Sequence, residues 1–124
     1  MARPLDYLYI ALTIGFTVYG QLILKWRIAD YGPLPINTVE KLKFLVGLLF
    51  DPAIFSGFVA GFLASLAWMA AMTKFDLSHA YPFMSLNFVV VLLLSVWLLG
   101  EPVTPQKIIG IGLIMLGTVV AARG

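Results

Sequence analysis

Residues 5–26 read LDYLYIALTIGFTVYGQLILKW, an apolar run long enough to cross ~30 Å of hydrocarbon as a single helix. Four polar residues interrupt it at a fixed interval: Thr13, Thr17, Gln21 and Lys25. Residues four apart share a face of a helix, and a polar face in lipid turns toward a bundle or a cavity. Taken singly, these residues need no cavity. A threonine bonds back to the carbonyl one turn earlier, and a lysine at the end of a span snorkels to the head groups. Gln21 fits that account worst, because its amide brings two donors and an acceptor into hydrocarbon. In register, the four predict a lined cavity. The stripe ends in a cation, and none of the six acidic residues lies in the middle of an apolar run, so the cavity suits an anion.

The rest of the 124 residues places this helix in a membrane protein. The chain is 61% hydrophobic and only 11% charged, with a mean hydropathy of +0.99. A soluble domain of this size buries only ~60–70% of the surface its unfolded chain exposes, so the excess apolar surface faces lipid. The net charge of +2 is ordinary for segments flanked by basic groups. The cations are scattered among helix ends rather than gathered on one surface, which excludes a nucleic-acid partner. Without cysteine there is no disulfide, thiolate or Cys-based metal site. MARPLDYLYI reads as the start of a span, not as a cleavable leader.

Three further segments qualify as spans, and the chain reads as an all-α membrane protein with one transmembrane domain over residues 1–124. The predicted spans are about 5–26, 53–72, 79–99 and 105–122. Asp51-Pro52 and Thr104-Pro105 each supply a cap followed by proline at the first helical position. Pro82 is tolerated in the opening turn of the third span. Between the first two spans, Asn37 or Thr38 caps a short helix over about 38–50, with Leu42, Leu45, Val46 and Leu49 at helical spacing. Its early charges, Glu40, Lys41 and Lys43, suit a helix lying at the membrane interface.

Four spans put both ends of the chain on one side. Arg3, Lys74 and Arg123 fall there, against Lys25, Arg27, Lys41, Lys43 and Lys107 on the other side, so the positive-inside rule places the Lys25 end in the cytoplasm. So weak a bias leaves parallel and antiparallel dimers both open. Small residues at helical spacing recur in the second span (Ser56, Ala60, Ala64; Gly57, Gly61, Ser65) and in the fourth (Gly110, Gly112, Gly117, Ala121). Such rows let helices approach closely in lipid. Packing within one subunit accounts for the first set, and contact with a second subunit accounts equally well for the other.

The third span opens HAYPFMSLNF. Tyr81 and Ser85 share a face, while Asn87 falls nearly opposite Ser85 on a regular helix. Asn87 therefore makes an interhelical hydrogen bond, or joins the site only where Pro82 disturbs the helix. His79 reads as an interfacial residue and Glu101 as a loop carboxylate, with a bond to Lys107 as a lesser reading. Trp26, Trp68 and Trp97 fit an aromatic belt, Trp68 lying deeper. No phosphate loop, metal-ligand spacing or nucleophile–base pair is present, so neither an enzyme nor a cofactor is implied.

Gly20-Gln21 with Lys25, then AYPFMSLNFVVV (80–91), then Glu101-Pro102-Val103 and a glycine-rich last helix resemble the drug/metabolite transporter superfamily. The resemblance is to its small four-helix, small multidrug resistance-like branch. Within that branch it is to the subunits that flip aminoarabinose linked to undecaprenyl phosphate across the bacterial inner membrane. It implies a multi-pass flippase of a polyprenyl-phosphate-linked sugar, working in membrane lipid as a homodimer or as a heterodimer with a related subunit. In the sister multidrug branch a glutamate of the first helix binds cationic drugs and protons, and that position here is Thr17. The expected substrate-binding residues are Lys25 and Arg27 for the phosphate, with Thr17, Gln21, Tyr81, Ser85 and Asn87 around the head group. A proton-coupled small-molecule exporter and a non-transporting subunit that scaffolds a glycosyltransferase are the alternative readings.

Overall fold

The second and fourth apolar runs, and the short helix before the second, begin at a side-chain cap. In the computed structural model, which describes residues 3–123, six α-helices and two single 3-10 turns follow one another with no strand among the described residues. Helix α1 spans Tyr7–Ile28, framed by turns at Pro4–Asp6 and Ala29–Tyr31; α2 spans Thr38–Leu48 and α3 Pro52–Met72. Helices α4 (Leu77–Met84) and α5 (Leu86–Leu99) follow, then α6 (Pro105–Arg123). Four continuous stretches are long and apolar enough to cross a membrane: Pro4–Tyr31, Pro52–Met72, Leu77–Leu99 and Pro105–Arg123.

Asn37 caps α2 by accepting from Val39 N at 2.9 Å. Asp51 caps α3 by accepting from Ala53 N and Ile54 N at 2.9 and 3.3 Å, ahead of Pro52. Thr104 caps α6 by accepting from Lys107 N at 3.2 Å. Helix α2 stops at Leu48, short of residue 50, because three successive i→i+3 bonds tighten the chain into the Asp51 turn. It makes only slight contact with the bundle. Val39, Leu42, Leu45 and Val46 stay exposed, an apolar face with no partner among the described residues.

The third span is one helix by hydropathy and two by geometry. Pro82 has no N–H to give the Ser78 carbonyl, and the next turn overwinds: Ser85 N bonds the Pro82 carbonyl and Phe88 N the Ser85 carbonyl, both i→i+3. Ser85 itself is the break between α4 and α5. The Ser85 and Thr118 hydroxyls lie 2.7 Å apart, with the Pro82 and Ile114 carbonyls as acceptors, and so pin the break to α6.

Packing is uneven. Helices α1 and α3 form the main pair, α1 also meets α5, and α6 rests on α4 and α5. The α1–α3 crossing is at Gly20 and Gly57, where a Cβ on Gly20 would stand 3.1 Å from the Gly57 carbonyl oxygen. Ala60 and Ala64 of α3 are buried as well, so Gly57, Ala60 and Ala64 serve packing within the chain, whereas Gly61 and Ser65 of the same span are exposed and border the cavity described below. Around Gly110, Gly112 and Gly117 of α6 there is open space. The buried cluster of Ile10, Ala71, Phe75 and Ala80 lies at the end of the bundle opposite Lys25.

Candidate functional site

Between the α1–α3 pair and the α4–α5 break lies a cavity of about 1200 Å³. Thr13, Thr17 and Gln21 line it from α1, Trp68 from α3, and Tyr81, Ser85 and Asn87 from the broken span. Ser85 and Asn87 both reach it because the overwound turn removes the regular spacing that would set them on opposite faces. Tyr81 meets Trp68 edge-on, with ring centroids 6.0 Å apart. Thr13 donates to the Tyr9 carbonyl at 2.8 Å, the ordinary helical use of a threonine. The Ser85 hydroxyl is taken up by the pin to Pro82 and Thr118. Asn87 differs, because its side-chain oxygen is buried and has no hydrogen-bond partner among the described residues.

A second cavity, of about 530 Å³, shares Thr17, Gln21, Asn87 and Phe88 with the first. It runs toward the loop between α5 and α6, past Ser95, to Glu101 and Lys107. Together the two form one polar-sided route from mid-membrane to the end of the bundle where α1 finishes. At the opposite end of the bundle aromatic rings gather around His79. Phe75 stacks on His79 at 5.7 Å, Phe83 lies 5.5 Å from His79, and the Tyr7 hydroxyl meets His79 Nε2 at 3.0 Å.

Two residues expected at the site stand apart from it. Lys25 is exposed and lines neither cavity, although its neighbour Leu24 lines the larger one. Arg27 is engaged elsewhere: its Nε donates to Asp51 Oδ2 at 2.8 Å, and a second nitrogen lies 3.3 Å from Asp30. The Tyr31 hydroxyl donates to the same Asp51 oxygen. With these donors and the two cap amides, Asp51 is held at a pKa of about 2, chiefly by the Tyr31 hydrogen bond and then by Arg27. Arg27 therefore fixes the end of α1 to the start of α3. The cation that does line the route is Lys107, which the sequence placed among the cations of the Lys25 side and, as a lesser reading, beside Glu101. The signal was its place in the first turn of α6, where the helix dipole disfavours a cation.

The sequence profile of the EamA-like transporter family matches residues 4–123. This chain belongs to that family. It is a multi-pass membrane protein of a transporter family, by fold and by kinship. Among curated proteins, the EamA-like chain is 36% identical over 107 residues to "Probable 4-amino-4-deoxy-L-arabinose-phosphoundecaprenol flippase subunit ArnF" of Erwinia tasmaniensis, covering 79% of each chain. It is 32% identical to the protein of the same name from Aeromonas hydrophila, over 91% of this chain and 76% of that one. It is also 32% identical to a relative named as subunit ArnE of that flippase, from Pectobacterium atrosepticum, over 91% and 94%. No solved structure matches this EamA-like transporter.

Proposed function

We propose that this chain moves a polyprenyl-phosphate-linked amino sugar between the leaflets of the bacterial inner membrane. The observation that carries the reading is the continuous route formed by the two cavities, joined at Thr17, Gln21 and Asn87. A sugar phosphate crossing bare hydrocarbon would lose its hydrogen bonds, at roughly 2–7 kcal/mol for each uncompensated polar group. The stripe on α1 and the Asn87 oxygen offer partners through that depth, and the buried Asn87 acceptor suits a sugar hydroxyl. No carboxylate lines the larger cavity, which fits a phosphate better than a cationic drug. The relatives' names specify a lipid with an amine on its sugar and a phosphate joining sugar to polyprenol.

In this reading Lys25 attracts the phosphate at head-group level, Lys107 receives it, and Gln21, Thr17, Tyr81 and Asn87 pass the head group inward. The polyprenyl tail remains in lipid. In this reading the head group enters toward Lys107, and the Phe75–His79–Phe83 cluster parts for release on the far side. Helix α2 lies in the interface with its uncovered apolar face in lipid. A second four-helix subunit packs on α6, where Gly110, Gly112 and Gly117 face open space among the described residues.

Reconstitution in vesicles containing undecaprenyl phosphate bearing 4-amino-4-deoxy-L-arabinose tests the proposal, with head-group exposure read by a membrane-impermeant amine reagent. Flipping faster than in protein-free vesicles, and lost in the double variant Gln21→Ala/Asn87→Ala, supports it. Protein-independent flipping, tested with the related subunit supplied as well, overturns it.

A further inference from the structure

The loop between α5 and α6 puts two opposite charges on one cavity wall without joining them. Gly100 ends α5 in the left-handed region (φ 68°, ψ 23°), and Glu101 follows directly at the turn. Lys107 is the third residue of α6. Both line the 530 Å³ cavity that continues to Gln21 and Asn87. Yet among the described residues neither belongs to an ion pair. The Lys107 ammonium makes one long hydrogen bond, 3.4 Å to the Pro102 carbonyl, and the half-buried Glu101 carboxylate accepts none. The helix start adds its own positive end to Lys107. The mouth therefore has a positive pole at Lys107 and a separate negative pole at Glu101, each with capacity to spare.

We infer that this mouth recognises a head group carrying both charges, and that Glu101 is the residue that selects for a primary ammonium on the sugar. Lys107, with its three donors and the start of α6 behind it, takes the phosphate. Glu101 takes the ammonium through a charge-assisted hydrogen bond. A neutral sugar on the same lipid would leave the Glu101 carboxylate facing the head group without a donor, a mismatch that makes a polar site selective. The inference rests on the flippase reading and extends it by assigning its amine specificity to one loop carboxylate.

The full chain in nanodiscs is titrated with undecaprenyl phosphate bearing 4-amino-4-deoxy-L-arabinose, and with the same lipid after N-formylation, bound lipid being counted by native mass spectrometry. The wild-type chain prefers the amine form by about tenfold, the size of one charge-assisted hydrogen bond. Glu101→Gln abolishes that preference while its affinity for the formylated lipid holds or rises as the unmatched carboxylate is removed, which also reports a folded site. Glu101→Asp retains the preference, and Lys107→Gln weakens both lipids together. Equal wild-type binding of the two lipids, or a preference that survives in Glu101→Gln, overturns this inference and leaves the flippase reading standing. Binding of neither lipid to the wild-type chain overturns both.

Discussion

Gly57 faces Gly20 across the α1–α3 crossing, where a Cβ on Gly57 would stand 2.9 Å from Ile23 Cγ2 and 3.4 Å from the Gly20 carbonyl oxygen. Both glycines also line the larger cavity. Gly20→Val forces the helices apart and destabilises the chain by roughly 1–3 kcal/mol, the usual size of overpacking. The same substitution at Gly15, which has open space around it, leaves stability nearly unchanged. Thermal unfolding of the two variants in one detergent gives the comparison.

Asp51 ties α1 to α3 through Arg27 and Tyr31 and caps α3 as well. Its pKa lies at about 2, below its ordinary value of 3.8, so the folded state binds this proton more weakly than the unfolded state. Its contribution is then complete above the ordinary value and is lost as pH falls toward about 2. Asp51→Asn lowers the melting temperature at neutral pH and flattens its fall between pH 4 and 2. Glu40→Gln, which breaks only the exposed 4.0 Å pair with Lys43, changes little.

Replacing Asn87 should separate stability from transport. Its buried side-chain oxygen has no partner, and such an orphan costs about 1–3 kcal/mol. Asn87→Leu therefore leaves the melting temperature unchanged or raised, while head-group flipping falls by about tenfold or more for the loss of a hydrogen bond to the head group. A variant that is both unstable and active would contradict the assignment.

Three cations at the same end of the bundle divide by task. Lys107→Gln reduces affinity for the phosphate-linked lipid by about tenfold, as expected for a charge-assisted contact. Lys25→Gln acts mainly on the rate of binding, and its effect shrinks as salt is raised. Arg27→Gln lowers the melting temperature and spares lipid affinity, because its partner is Asp51. Lipid titrations at two salt concentrations, paired with melting curves, distinguish the three.

Much of this was legible in the chain. Length and apolar run set four spans, the Asp51-Pro52 and Thr104-Pro105 pairs marked two helix starts, and the spacing of Thr17 and Gln21 put them on the cavity face. Such features depend on neighbours within a turn or two, and a periodic signal carries them. Asn87 required more, since only the tightened turn at Ser85 brings it beside Gln21. Arg27 looked as available as Lys25 until Asp51, twenty-four residues away, was found to hold it.

The sequence by itself determined that this is a helical membrane protein with a polar stripe along one face of its first span, because hydropathy and helical period are local properties. Only the tertiary structure decided which cation meets the cavity. Charge is written in the sequence, but its availability depends on partners brought from elsewhere in the chain. Folding spends Arg27 on Asp51, sets Lys25 outside the wall, and leaves Lys107 and Glu101 at the mouth without an ion pair among the described residues.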